Sequence, residues 1–239
     1  MRLGERVVNG IVHGLTGLLC AGDASELVRV PQHGPLILIV NHVNFLEIPI
    51  LHKHLVPRRV AAFAKIESWR NPLVKGLFDL WGAIPVRRGE ADPVAFRRGL
   101  AALASGMILA ITPEGTRSHD GRLQYGHSGI VPLALRSGAP LLPVAVYGTE
   151  SFWSRLRRLR RTKYGVAVGD PFTIDTGGEK VRRRERQQIA DEVMFQLAAI
   201  LPPRYRGVYA DFTEATDRFL RFSPPAISGI RRTREGTDA

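Results

Sequence analysis

The sequence has too few cysteines for a disulfide and no apolar run long enough to cross a membrane. Cys20 is the one cysteine in 239 residues, so no intrachain disulfide can form, and a reducing compartment fits this composition. The longest uncharged stretch near the N-terminus, residues 7–22, is interrupted by Asn9, His13 and several glycines. A spanning helix needs about 20 apolar residues, so we expect neither a transmembrane segment nor a signal peptide.

Acidic residues are scarce relative to basic ones. The chain has 22 Asp and Glu against 34 Lys and Arg, which gives a net charge of +12. Such a charge does not specify a fold, but it attracts polyanions such as nucleic acid, an anionic lipid leaflet or phosphorylated ligands. Apolar residues make up 44% of the chain, which is ordinary for a folded protein. We therefore expect a globular protein with a polyanionic partner.

The N-terminal segment has the periodicity of a helix with one apolar stripe. Between residues 2 and 19, Val7, Ile11, Leu15 and Leu18 recur at helical spacing. Packing on the protein's own core is the commoner fate of such a stripe, and burial in a membrane surface is the alternative. We predict three parts of the chain: residues 1–24 as an amphipathic helix and candidate membrane-surface anchor, 25–222 as the main domain, and 223–239 as a tail that is frayed after Arg231.

Short apolar runs alternate with helical patterns through the middle of the chain. The predicted strands cover residues 36–40, 59–65, 82–86, 107–112, 141–147 and 164–169, and the predicted helices lie near residues 46–54, 69–80, 92–104, 128–137 and 181–201. Near-continuous apolar strands are typical of parallel strands that are buried on both faces. We therefore predict an α/β fold, in which a mostly parallel or mixed sheet is flanked by helices on both faces.

Two polar loops follow predicted strands, "NHVNFLE" at 41–47 and "PEGTRS" at 113–118. In such sheets ligands bind in the loops at the carboxyl ends of the strands. His42 and Glu47 are five residues apart, so on one continuous helix their side chains would point about 140° apart. They meet only if His42 lies in the turn before the helix and Glu47 in its first turn. A histidine that is oriented by a carboxylate can take a proton from a hydroxyl group.

The second loop and a nearby arginine pair carry groups that suit a phosphate. Arginine binds phosphate oxygens in a bidentate manner, and Arg117 in "PEGTRS" is joined by Arg87 and Arg88 after another predicted strand. Gly115 lets the backbone approach a ligand closely. A polar turn with a local Glu–Arg pair and a solvated double arginine explain the same residues without a ligand.

Four segments together resemble the blocks of the glycerolipid acyltransferase family, and their nearest type is the bacterial 1-acylglycerol-3-phosphate acyltransferase. They are "NHVNFLE", "GAIPVRRG", "PEGTRS" and "APLLPVAV", in that order, within residues 30 to 170. The resemblance implies the glycerolipid acyltransferase fold. It also implies transfer of a fatty acyl group from acyl-CoA or acyl carrier protein to the hydroxyl of lysophosphatidic acid or a related lysolipid, with no metal and no other cofactor.

The resemblance also implies a role for each matching residue. His42 matches the general base and Glu47 its acidic partner. The residues that match the acceptor's phosphate site are Arg88, Glu114, Gly115, Thr116 and Arg117. The sequence departs from the family in having Glu47 where Asp is usual, Arg87 where Asp is common, and His127 and Ser128 where lysines are common.

The basic segments at 155–163 and 182–186, with the N-terminal stripe, predict peripheral attachment to an anionic leaflet on the cytoplasmic face of the membrane. Three alternatives remain: an acyltransferase for an amino lipid or glycolipid, a family member that has lost catalysis, and a non-catalytic basic binding protein. We expect no nucleic-acid partner, because no helix-turn-helix, zinc pattern or aromatic strand motif is present. We interpret His52 and His54 as ordinary helix-surface residues.

Overall fold

The fold is described by a computed structural model for residues 3–87, 89 and 92–236. The helices are α1 Leu3–Leu19, α2 Glu47–Leu55, α3 Pro72–Trp81, α4 Pro93–Ala104, α5 Ile130–Ser137, α6 Phe152–Leu156, α7 Arg183–Ile200 and α8 Gly229–Glu235. The strands are β1 Cys20–Asp23, β2 Leu36–Val40, β3 Val60–Lys65, β4 Ile84–Val86, β5 Ile108–Ile111, β6 Leu141–Tyr147, β7 Thr162–Val168, β8 Thr173–Ile174 and β9 Leu220–Arg221. The predicted strands and helices are therefore present, with shifts of a few residues at their ends.

Seven strands form one mostly parallel sheet in the order β1-β7-β6-β2-β5-β3-β4. Strands β6, β2, β5, β3 and β4 are parallel to one another. Strand β7 runs antiparallel to β6, and β1 pairs parallel with β7 at the sheet edge. Strands β8 and β9 form a separate two-stranded sheet. The prediction of a mostly parallel sheet within an α/β fold is confirmed.

Helices cover both faces of the sheet because its strands are apolar on both sides. All five residues of β2 are buried, and successive side chains of a strand point to opposite faces. Ile37 and Ile39 join the core that contains residues of α4, α5 and α7. Leu36 and Leu38 join a second core with residues of α2. This arrangement leaves the carboxyl ends of the parallel strands free to carry loops.

Helix α1 faces the protein with polar residues and faces outward with apolar ones. Asn9 and Thr16 are buried, and the Asn9 Oδ1 accepts a hydrogen bond of 2.9 Å from Nε1 of Trp81 in α3. The outward side carries Val7, Ile11, Leu15 and Leu18, which are 54, 58, 52 and 68% exposed. Val7, Ile11 and Leu18 therefore do not pack into the protein's own core, whereas Leu19, at the end of the stripe, packs against it.

His52 is a packed residue, so its interpretation as an ordinary surface histidine is wrong. Its ring stacks on Trp81 with 4.5 Å between the ring centroids, and its Nδ1 lies 3.2 Å from Nε2 of His13 in α1. Burial, and secondarily His13, lowers the pKa of His52 to about 4. His52 thus helps to hold α1 and α3 against α2. His54 is exposed, as expected.

The expectation of a frayed chain after Arg231 is wrong as far as Glu235, because α8 packs on α7. Ile230 is buried, and Gln196 of α7 donates to the Ser228 hydroxyl at 3.0 Å and accepts from the Gly229 N–H at 2.7 Å. The three-part division at residues 24 and 222 stays a prediction. No helix within the described ranges combines the length and apolarity that a bilayer crossing requires.

Glu192 in α7 ties the segment before β9 to the helix. Its carboxylate is buried and accepts hydrogen bonds from the Thr216 hydroxyl, the Arg218 N–H and the Phe219 N–H at 2.6, 3.1 and 2.9 Å. We predict that Glu192→Gln lowers the free energy of unfolding by about 1–3 kcal/mol, because the new amide N–H₂ faces donors where an acceptor is needed.

Denaturant unfolding followed by circular dichroism measures this loss. The exposed Glu179 provides the matched control, and Glu179→Gln is expected to change the free energy of unfolding by no more than about 0.5 kcal/mol. Equal stabilities of the two variants would contradict the role assigned to Glu192.

Candidate active site

The first polar loop is fixed to the sheet at its start. Asn41 directly follows β2 and is buried. Its side chain donates to the Val146 carbonyl and accepts from the Val146 N–H of β6, both at 2.8 Å. These two bonds continue the pairing of β2 with β6 by one residue, so the next residue, His42, leaves the sheet at a defined position.

His42 and Glu47 are brought together at the end of β2. His42 lies in the turn and Glu47 is the first residue of α2, with 3.2 Å between His42 Nδ1 and Glu47 Oε2. The other carboxylate oxygen, Oε1, accepts from the Asn44 N–H at 3.0 Å and lies 3.5 Å from the Thr149 hydroxyl. Glu47 is only 1% exposed. This carboxylate therefore orients the imidazole and leaves its Nε2 for a ligand.

Glu114 supports the same loop from the opposite side. Its two oxygens accept from the His42 N–H at 2.7 Å and from the Gln124 N–H at 2.9 Å. Glu114 is buried, and burial raises the pKa of its carboxyl to about 7, although both N–H donors act in the opposite direction. Because both oxygens are occupied by backbone groups, the geometry gives Glu114 a positioning role rather than a direct contact with a ligand.

The rest of "PEGTRS" joins the two loops and presents its outer residues to solvent. The Ser118 N–H donates to the His42 carbonyl at 2.8 Å. Gly115 has a φ of 67°, and an added Cβ would lie 3.0 Å from the His127 ring, so a larger residue would be strained there. Thr116 and Arg117 are exposed, which leaves the Arg117 guanidinium available to an anion.

A single cavity of about 980 Å³ connects these groups. His42, Thr116 and Arg117 line one part of it. Most of the remaining wall is apolar and comes from α1, α2, β3 and α3; it includes Leu15, Leu19, Ile48, Ala62, Val74, Leu77 and Phe78. A cavity with a polar end and a long apolar wall suits an amphiphile with an anionic headgroup.

The remaining predicted site residues either fall outside the described ranges or are not among the residues that line the cavity. Arg88 lies outside the described residues. Its neighbour Arg87 is exposed and donates its backbone N–H to Asp92 at 3.2 Å. Glu114 and Gly115 stand behind the cavity rather than among the residues that line it.

Four further residues belong to this region and were not predicted from the sequence. Lys65 and Arg70 line the cavity and bring further positive charge. Asn44 donates from its side chain to the Thr149 carbonyl at 2.8 Å, and Thr149 in turn approaches Glu47. Lys65 is the last residue of β3 and Thr149 lies two residues after β6, so their position at the carboxyl edge of the sheet was a usable signal.

The chain is similar in sequence to known lipid acyltransferases. The chain is 29% identical over 202 residues to the lyso-ornithine lipid O-acyltransferase of Pseudomonas aeruginosa, covering 76% of this chain and 77% of that protein. It is 26% identical to the 1-acyl-sn-glycerol-3-phosphate acyltransferase of Borreliella burgdorferi, covering 58% of this chain and 55% of that protein.

A solved structure has the same fold. The crystal structure of the 1-acyl-sn-glycerophosphate acyltransferase PlsC from Thermotoga maritima superposes with a TM-score of 0.59 and 23% identity, covering 79% of this chain and 77% of that one. A family model described as Acyltransferase matches residues 24–147, which is more than half of the 239 residues. The protein therefore belongs to the acyltransferase family.

Proposed function

We propose that this protein transfers a fatty acyl group from an acyl thioester, on CoA or acyl carrier protein, to the hydroxyl of lysophosphatidic acid or a related lysolipid. The observation that carries the proposal is that His42 and Arg117 line one cavity whose remaining wall is largely apolar. A general base and a phosphate-binding group thus share a space that fits an acyl chain. The proposal includes no metal and no other cofactor.

In the proposed reaction, Nε2 of His42 takes the proton from the acceptor hydroxyl while Glu47 stabilises the imidazolium through Nδ1. The hydroxyl oxygen attacks the thioester carbonyl carbon, and backbone N–H groups at the strand ends stabilise the oxyanion. The C–S bond then breaks, and the thiolate receives the proton from His42. The products are the ester and the free thiol.

Arg117 binds the acceptor's anionic headgroup in this proposal, with Arg88 as a further candidate. Holding the headgroup presents the hydroxyl to His42 in a fixed orientation, which lowers the entropic part of the barrier. An amino-acid lysolipid is a second candidate acceptor, because one relative that matches three-quarters of this chain is a lyso-ornithine lipid O-acyltransferase. The two acceptors are compared directly by the rate of thiol release from acyl-CoA.

We also propose that the protein attaches peripherally to an anionic leaflet on the cytoplasmic face of the membrane. Support comes from the inverted polarity of α1, whose apolar side is the exposed one. When such a helix lies in a lipid surface, its exposed apolar face is removed from water, which favours attachment. The net charge of +12 adds electrostatic attraction to the leaflet.

The first prediction concerns His42. We expect His42→Ala to lower kcat/KM by about 10²–10⁴-fold, because the variant loses its general base. The assay follows free thiol release from acyl-CoA in the presence of lysophosphatidate. His33→Ala, at an exposed histidine in a loop, is expected to keep wild-type activity, and unchanged activity of the His42 variant would contradict the mechanism.

The second prediction concerns Glu47. We expect Glu47→Asp to lower kcat about tenfold or more, because α2 begins at this residue and the shorter side chain cannot reach both His42 and the Asn44 N–H. A tenfold loss corresponds to about 1.4 kcal/mol of transition-state stabilisation. Steady-state kinetics at saturating lysophosphatidate measures the change. A variant that is more active than the wild type would show instead that Glu47 misplaces the histidine.

The third prediction separates substrate binding from chemistry. We expect Arg117→Gln to raise the KM for lysophosphatidate about 10- to 100-fold, since a charge-assisted hydrogen bond contributes about 1.5–3 kcal/mol. Arg122→Gln, five residues further at an exposed position outside the cavity, serves as the matched control. Equal KM values for both variants would contradict the proposal that Arg117 binds the acceptor.

A further inference from the structure

A short loop after α6 exposes a leucine in an unfavourable backbone conformation. This arginine loop, residues 157–161, has the sequence Arg-Arg-Leu-Arg-Arg. Leu159 is 94% exposed, and its φ of 52° places it in the left-handed region, which is unfavourable for a bulky residue. Backbone hydrogen bonds from the Leu159 and Arg160 N–H groups to Leu156 and Arg155 hold this shape. The loop thus holds an apolar side chain out in water, which makes Leu159 a candidate contact for an apolar partner.

The arginines beside Leu159 are free to bind anions. Arg157, Arg158 and Arg160 are exposed. Among the ion pairs found within the described parts of the chain, none includes these three side chains. Guanidinium groups bind phosphate oxygens in a bidentate manner. The leucine side chain suits the acyl region of an anionic lipid surface, and the arginines around it suit the phosphates of the headgroups.

The arginine loop is attached to both α1 and the cavity wall. Arg161 donates to the carbonyl of Gly17 in the last turn of α1 and, at 2.8 Å, to that of Cys20, the first residue of β1. Trp153, in α6 just before the loop, is 59% exposed and packs on Phe45 with 6.0 Å between the ring centroids. Phe45 lines the cavity that contains His42. The loop, the end of α1 and the cavity are therefore connected by direct contacts.

We propose that the arginine loop and Trp153 form a second contact with an anionic phospholipid bilayer, in addition to α1. Leu159 and Trp153 insert among the lipids, while Arg157, Arg158 and Arg160 bind lipid phosphates. Two contacts fix the orientation of the protein on the bilayer, which a single helix does not, and they hold the Phe45 side of the cavity close to the lipids. This inference rests on the membrane attachment in the proposed function.

The first test replaces the tip residue. Asparagine tolerates the left-handed region, so Leu159→Asn is expected to keep the loop conformation and to replace the apolar side chain with a polar one of similar size. Partitioning onto vesicles of phosphatidylglycerol and phosphatidylcholine is measured by sedimentation. We expect Leu159→Asn to weaken binding about fivefold, the effect of losing part of a buried leucine. Val208→Ser, at an apolar residue that is 48% exposed and far along the chain, is expected to bind like the wild type.

A second variant tests the charges. Changing Arg157, Arg158 and Arg160 together to serine is expected to weaken binding about 100-fold at low salt, since each arginine near an anionic surface contributes about fivefold. The same change at Arg182, Arg183 and Arg184, the other basic cluster, provides the matched control and is expected to have a smaller effect. Equal losses of vesicle binding in the two triple variants would show that the loop contributes only general electrostatic attraction, which would overturn the proposal.

Insertion of Trp153 has its own optical readout. We expect brominated lipids in the vesicles to quench the tryptophan fluorescence of the wild type, and this quenching to be largely lost in Trp153→Phe. Undiminished quenching in that variant would contradict insertion at this position. A wild-type dimer that Leu159→Asn dissociates, or tighter binding to duplex DNA than to the vesicles that the arginine variant abolishes, would assign the surface to another partner.

Activity separates this inference from the proposed function. Leu159→Asn is expected to keep wild-type thiol release with lysophosphatidate dispersed in detergent, where no bilayer is needed. An active wild type whose vesicle binding ignores the loop variants overturns the loop contact alone. An inactive wild type whose vesicle binding depends on them overturns the acyl-transfer proposal and leaves the lipid contact supported.

Discussion

Two buried carboxylates hold the loop between β2 and α2, and the candidate site depends on them. Glu47 binds the imidazole of His42 and the Asn44 N–H, while Glu114 binds the backbone N–H of His42. The charged form of Glu114 is unfavourable at this position, since burial and the negative charge of Glu47 raise the pKa of its carboxyl. Backbone donors offset part of that cost. The histidine is thereby fixed at both its ring and its main chain, which is the pre-organisation that proton transfer requires.

The sheet explains why these groups meet. Strands β2 and β5 are adjacent and parallel, so the loops that follow them emerge at one edge, although they are some seventy residues apart in the sequence. The Ser118 N–H bonds directly to the His42 carbonyl, which joins the two loops. Positioning therefore comes from the rigid sheet, and the exposed ends of the loops, such as Arg117, remain available to the ligand.

Much of this arrangement could be predicted from the sequence, because apolar runs such as residues 36–40 and 141–147 allow few structures other than buried strands. The meeting of His42 with Glu47 was predicted only on the condition that His42 lies in the turn before α2 and Glu47 in its first turn, and the structure meets that condition. The orientation of α1 could not be predicted, since periodicity reveals a stripe but not which side has a partner; buried Asn9 and exposed Ile11 reverse the usual rule. The contacts of Glu114 could not be predicted either, because the sequence does not show whether a glutamate in a motif binds a ligand or backbone N–H groups.

A crystal structure of the His42→Ala variant with lysophosphatidate bound tests the proposed site most directly. We expect the phosphate to lie on the Arg117 guanidinium, the acyl chain to follow the apolar wall, and the free hydroxyl to point at the space vacated by the imidazole. A headgroup bound away from Arg117, with the hydroxyl remote from position 42, would contradict the central claim that these two side chains act on one substrate.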